Sequence, residues 1–326
     1  MSLPLIFDHL RLPVIASPMF IISGPELVIA QCKAGIVGSF PALNARPAAQ
    51  LDEWLQRITG ELSAHDRANP GCPAAPFAVN LIVHKTNSRL EEDLATCAKW
   101  KVPLIITSLG ARADVNQAVR DWGGIVLHDV IDDTFARKAI EKGANGLIAV
   151  AAGAGGHAGS LSPFALMQEI REWFAGPVAL AGAIACGRSI LAAQAMGADF
   201  AYIGSPWIAT FEANAVEGYK QAIVEGRASD IVYSNLFTGV YGNYLRPSIV
   251  AAGLDPDNLP ASDPGKMNFS SAGKMSAKPW KDIWGSGQGI GTVKAIESVA
   301  TRVERLIGEY AAAKRELAAR AGMSID

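Results

Sequence analysis

The chain has 326 residues, half of them hydrophobic and 18% charged, with a formal net charge of −2. It can bury a large core, and it carries no electrostatic footprint for nucleic acid or for an anionic membrane surface. Four cysteines, Cys32, Cys72, Cys97 and Cys186, form no CxxC pair and stand near no second metal ligand in sequence, so a reduced, cytoplasmic chain without a metal is expected.

The N-terminal MSLPLIFDHLRLP is interrupted by Asp8 and Arg11 where a signal peptide needs an unbroken apolar core. The longest uncharged stretch, residues 143–168, is broken by glycines, His157 and Pro163 and makes a poor membrane helix. Short apolar runs then recur along the chain. Strands are predicted at PVIASP (13–18), GIVGSF (35–40), FAVNLIV (77–83), PLIITSLG (103–110), GIVLHDV (124–130), GLIAVAAG (146–153), PVALAGAI (177–184) and FAYIGSP (200–206). Amphipathic segments such as GPELVIAQCKA, RLEEDLATCAKW, DDTFARKAIEKGA and GRSILAAQAMGA separate them.

The runs are apolar throughout rather than alternating, as in parallel strands covered on both faces. Eight βα units predict a (β/α)8 TIM barrel. The rival, a doubly wound open sheet, would carry a GxGxxG fingerprint after its first strand; here that strand ends in SPMF, and the glycines cluster after the sixth, seventh and eighth. After Pro206 the rhythm stops. Residues 207–285 read as an inserted, mostly helical and loop lid or substrate subdomain, and 1–206 with 286–326 as the barrel. A long charged helix from TVKAIES onward is expected to return and cover it.

Barrel chemistry sits at the C-terminal strand ends. LAGAIACGRS (180–189) and YIGSPW (202–207) place small residues beside helix N-termini after the seventh and eighth strands, which suits a phosphate. The first strand lacks HxH for a metal hydrolase, and no lysine lies inside a predicted strand for Schiff-base chemistry. A roomy, glycine-lined mouth with one phosphate site suits a flat phosphorylated cofactor. His157, in VAAGAGGHAGSLSP, stands among glycines that bring backbone close and leave the imidazole unshielded. Imidazole titrates near neutral pH and can take a proton from carbon or hold an anion.

GAGGHAG (153–159), LAGAIACGRSILAAQAMGADFAYIGSPWIAT (180–210), SPM (17–19) and GQGIG (287–291) together resemble the nitronate monooxygenase family, formerly the 2-nitropropane dioxygenases, FMN-dependent (β/α)8 barrels. The resemblance runs from the first strand to the Gln288 region. It implies that Ser17, Pro18 and Met19 lie along the isoalloxazine and that Asn80 hydrogen-bonds the flavin ring. Gly182, Ala183, Gly204 and Ser205 would hold the FMN phosphate, Gly287 and Gln288 would touch the flavin from the C-terminal side, and His157 would be catalytic. The implied reaction is oxidation of alkyl nitronates, such as propionate 3-nitronate, by O2 to a carbonyl product and nitrite, without nicotinamide; a homodimer is compatible with this reading.

One departure stands out. Many relatives carry a lysine directly after the histidine that ends the fifth strand; here the pair is His128–Asp129. A cation near the flavin would stabilise its reduced anion, and His128, held charged by Asp129, or else Lys85, would supply it. Two other readings stay open: an NAD(P)H-dependent FMN reductase of the quinone or enoyl-acyl-carrier-protein type, and a phosphate-binding barrel without redox chemistry.

Overall fold

The computed structural model describes residues 3–262 and 280–322. Eight strands run parallel: β1 (Val14–Ala16), β2 (Gly38–Pro41), β3 (Phe77–Ile82), β4 (Leu104–Ser108), β5 (Ile125–Val130), β6 (Gly146–Val150), β8 (Val178–Ala181) and β9 (Phe200–Ile203). Their order, β1-β9-β8-β6-β5-β4-β3-β2, closes on itself through a parallel bridge between Ile15 and Val37. This is the (β/α)8 barrel that the eight apolar runs predict.

Helices α1 (Pro25–Lys33), α2 (Gln50–Ala68), α3 (Leu90–Lys99), α4 (Ala113–Asp121), α5 (Asp133–Glu141), α6 (Pro163–Arg171) and α7 (Gly187–Ala195) connect the strands. Their starts follow from local chemistry. Pro25 and Pro163 open α1 and α6, where a missing N–H costs nothing, and the Asp132 carboxylate caps α5 by accepting from Phe135 N. The predicted C-terminal helix begins seven residues later than the motif's first residue, as α11 (Val299–Ala321), because Ser298 caps it there through Thr301 N. It packs against α7 and α1 and so fills the eighth place in the helical ring.

Successive side chains on a strand point to opposite faces, and the core divides accordingly. Ile15, Ala78, Ile106, Leu127, Ile148, Ala179 and Phe200 fill the barrel interior, with Phe7 plugging its lower end against Phe200 at 4.7 Å between ring centroids. Val14, Val79, Ile105, Val126, Leu147 and Leu180 face the helices.

Among its described residues, the segment 207–285 adds short strands to the expected helices and loops. A short α8 (Ser205–Ile208) and α9 (Glu217–Glu225) precede a hairpin of β10 (Ile231–Ser234) and β11 (Gly242–Leu245), then α10 (Arg246–Ala251). The hairpin pairs antiparallel with a two-residue strand, β7 (Gly156–His157), making a separate three-stranded sheet. These strands escape a sequence reading because each is at most four residues long. The β-branched and aromatic runs IVYS and GNYL are their only trace.

Arg302 on α11 ties this region to the barrel. It is 1% exposed, bonds Glu297 at 3.0 Å, and donates to the carbonyls of Pro206, Ala209 and Ala295. Burial pulls its guanidinium down to about 10, so it stays charged at neutral pH. Arg302→Met leaves Glu297 and those carbonyls short of a donor and should cost roughly 3–5 kcal/mol. Urea unfolding would show this as a lowered midpoint; an unchanged midpoint would mean that α11 is held elsewhere.

Candidate functional site

Four backbone segments converge above the C-terminal strand ends: the loop after β6, the turns after β8 and β9, and the segment 285–291. Gln288 N and Ala183 N both donate to Gly153 O, at 2.9 and 3.2 Å, and Gly287 N donates to Ser205 Oγ at 2.8 Å. Glycine is required here by space and by dihedral. A Cβ on Gly155 would come 2.7 Å from Gly287 N, and Gly153 holds φ +84° with Gln288 Oε1 only 3.0 Å from its missing Cβ. Ala183 adopts φ +55°, a left-handed value rarely taken by residues other than glycine, directly after Gly182 at φ +146°. Strained backbone of this kind collects at binding sites.

Gly182, Ala183, Gly204, Ser205, Gly287 and Gln288 are therefore brought together. The helix-dipole component of the phosphate reading is weaker than the sequence suggests. Gly187 N, at the start of α7, donates to the Glu309 carboxylate at 2.8 Å, and the helix after Gly204 is only four residues long. Ser17 and Met19 lie against Gly204, whose Cβ would sit 3.3 Å from Ser17 Cβ and 3.8 Å from Met19 Sδ.

His157 lies on β7, paired with Gly242 of the hairpin. Its Nε2 is 3.0 Å from Thr238 Oγ1, and its ring meets Trp280 edge-on at 5.3 Å. Thr238 gives its hydroxyl proton to Val240 O at 3.1 Å. Thr238 Oγ1 also lies 3.4 Å from the Tyr244 hydroxyl, so His157 is anchored in a small hydroxyl network. Burial pulls this imidazole down to about 4, so it is neutral at pH 7. Asn243 Nδ2 fixes the loop below by donating to Ala154 O at 2.7 Å. Thr238 and Asn243 were not singled out in the sequence, because only hairpin pairing carries them to a loop about 80 residues earlier.

The pleat decides the roles at the end of β5. Leu127 faces the interior, so Asp129 does too, whereas His128 shares the outer face with Val126 and Val130. There His128 Nδ1 lies 2.6 Å from Thr107 Oγ1 on β4, and burial pulls the ring down to about 4. His128 is thus a neutral histidine turned away from the mouth, and the expected cation held by Asp129 does not form. Lys85 is exposed after β3. Asn80 does face inward and donates to Ile106 O and, at 2.8 Å, to Ser108 Oγ; Ser108 in turn donates to Asp129 Oδ2 at 2.6 Å. Among the described residues no cluster of three metal-ligating side chains occurs, and no helix is long and apolar enough to cross a membrane.

The nitronate monooxygenase family model matches residues 5–309. A nitronate monooxygenase of Paraburkholderia phytofirmans is 25% identical over 318 residues, covering 82% of each chain. Among solved structures, a nitroalkane oxidase from Streptomyces ansochromogenes superposes with a TM-score of 0.77 at 24% identity, over 95% of this chain and 99% of that one. FabK from Thermotoga maritima gives 0.77 at 22% identity, over 97% of both.

The outward placement of His128 has a measurable consequence. Below pH 6.5 the unfolded chain protonates this histidine while the folded chain does not until about 4, so its burial costs stability increasingly as pH falls through that window. His128→Gln should gain on the wild type by an amount on the order of 3 kcal/mol between pH 7 and pH 4. Denaturant unfolding at several pH values measures it, and a pH-independent difference between the two proteins would refute the placement.

Proposed function

The chain belongs to the nitronate monooxygenase family, and from that premise we propose that it is an FMN-dependent enzyme that oxidises alkyl nitronates, such as propionate 3-nitronate, with O2 to a carbonyl product and nitrite. The observation that carries this reading is His157: a neutral imidazole anchored on Thr238 and suspended by a hairpin over a mouth of close-packed glycine backbone.

The residues present fit a flavin. The mouth contains a buried carboxylate oxygen, Asp129 Oδ1, without a partner among the described residues, and a polar ring edge would satisfy it. The absent side chains of Gly153, Gly155 and Gly204 would occupy space between the converging segments. Gly182, Ala183, Gly204 and Ser205 would hold the phosphate, with Gly287 and Gln288 behind them. Ser17, Pro18, Met19 and Asn80 would lie along the ring. His128, on the outer face, would not. Bound FMN would supply an electron acceptor that O2 can reoxidise.

A nitronate is already an anion at carbon and needs no base, whereas a neutral nitroalkane must first lose a proton. His157 has the geometry for either role. Thr238 holds its Nε2 side, and the imidazole would take the proton from carbon. Burial weakens this base in the absence of charge, and an anion bound beside it would raise its proton affinity again. Preformed nitronates are therefore the better substrates.

Anaerobic propionate 3-nitronate should bleach the flavin of the purified protein, and NADH should not; bleaching by NADH alone would instead support the reductase reading. His157→Ala should lower turnover of neutral nitroalkanes roughly 10²–10⁴-fold, the usual worth of a general base, and turnover of preformed nitronates much less. Equal, small losses on both substrates would remove His157 from the role of base.

A further inference from the structure

Asp129 is the one carboxyl that the pleat of β5 turns into the barrel mouth, and the bonds around it have a fixed direction. The Asn80 amide nitrogen can only donate, so Ser108 Oγ accepts from it. Ser108 has one proton left, and it goes to Asp129 Oδ2. Two donors in series thus point at one oxygen of the carboxyl. The other, Oδ1, is inaccessible to solvent and has no hydrogen-bond partner among the described residues. A buried, unpartnered carboxylate oxygen is costly, and Asp129 is close enough to Tyr202, which hydrogen-bonds Ser17, for its charge to oppose ionisation of that phenol.

We propose that Asp129, half-buried at the mouth, meets the polar pyrimidine edge of the bound flavin, its carboxyl hydrogen-bonding the ring and becoming protonated when the ring gains negative charge on reduction. This rests on the flavin reading above and adds a role for a residue that replaces a cation with an acid. The chemistry matches on both sides. A flavin pyrimidine ring offers an N–H that an ionised Oδ1 accepts and carbonyl oxygens to which a protonated Oδ1 donates. Because Ser108 donates to Oδ2, Oδ1 is the oxygen left to carry a proton. On two-electron reduction, by the nitronate or by the equilibrating dye, the ring would take both electrons and one proton and keep one negative charge, and Asp129 would take up a second proton.

The surroundings keep this titration in a usable range. Burial raises the carboxyl to about 7, with the Ser108 hydrogen bond opposing the rise. The titratable neighbour is Tyr202 on β9, kept neutral by burial and by Asp129 itself. His128, next in sequence, is on the other face of the sheet and neutral.

The test is the flavin midpoint potential of FMN-reconstituted protein, measured by dye equilibration from pH 5.5 to 8.5, for wild type, Asp129→Asn and Ser108→Ala. At pH 8 the ionised carboxylate disfavours the reduced ring. Asp129→Asn should then shift the reduced-to-oxidised ratio at fixed poise about tenfold toward reduced, equivalent to about 30 mV for two electrons. The difference should shrink toward pH 5.5, where wild-type Asp129 is neutral. Ser108→Ala, which removes the bond that holds the carboxyl down, should move the wild-type inflection to higher pH. Potentials of wild type and Asp129→Asn that coincide across the range, or differ by a constant, overturn the inference while leaving the flavin reading intact. Failure of the wild type to bind FMN, followed by fluorescence quenching, overturns both.

Discussion

A strand in a closed parallel barrel has two faces and no edge, so each side chain either enters the interior or joins the helix layer. Everything chemical in this protein depends on that division. It sends Asn80, Ser108, Asp129 and Tyr202 into one ring at the open end of the barrel, above the apolar layers of Ile106, Leu127, Ile148 and Phe200. It sends Thr107 and His128, their immediate neighbours in sequence, to the opposite side of the same wall. A shift of one residue in β5 would exchange an acid for a histidine in the mouth.

The second organising feature is contact between backbones. Gly153 and Gly155 meet the backbone of Gly287 and Gln288, and the turns at Gly182–Ala183 and Gly204–Ser205 pack into the same junction. Such a junction leaves amides and carbonyls, rather than side chains, to shape the cavity wall. His157 is presented above it by a strand of two residues, too short to hold a conformation alone. It is held by pairing with β11, by Asn243 beneath it and by Trp280, which in turn packs on Tyr244. The region between β9 and α11 therefore supports the histidine that the barrel loop supplies.

The electrostatics of the mouth run against the usual expectation of a cation beside a flavin. Desolvation holds His157 neutral above the mouth and pushes the inward carboxyl of Asp129 toward neutrality, as it does His128 on the outer face of the wall. Because desolvation disfavours whichever form is charged, the apolar barrel top lowers the histidines and raises the acid together. A site of this kind carries little fixed charge, and its charge state responds to what is bound in it.

Much of this was legible in the sequence. Apolar runs separated by amphipathic segments require a parallel, doubly covered sheet, and eight of them close a barrel. The glycine clusters after the sixth, seventh and eighth runs, with His157 among them, mark the busy side of the mouth because glycine in such numbers is tolerated only where backbones must meet. The sequence by itself thus determined the architecture, the end of the barrel that matters and the glycine-framed histidine, since these rest on local periodicity and composition. Only the tertiary structure decided which of His128 and Asp129 faces the mouth, because a parity of one residue is lost in an apolar run that shows no alternation. It alone brought Thr238 and Asn243 to the His157 loop, because short strands gain their stability from long-range pairing rather than from their own residues.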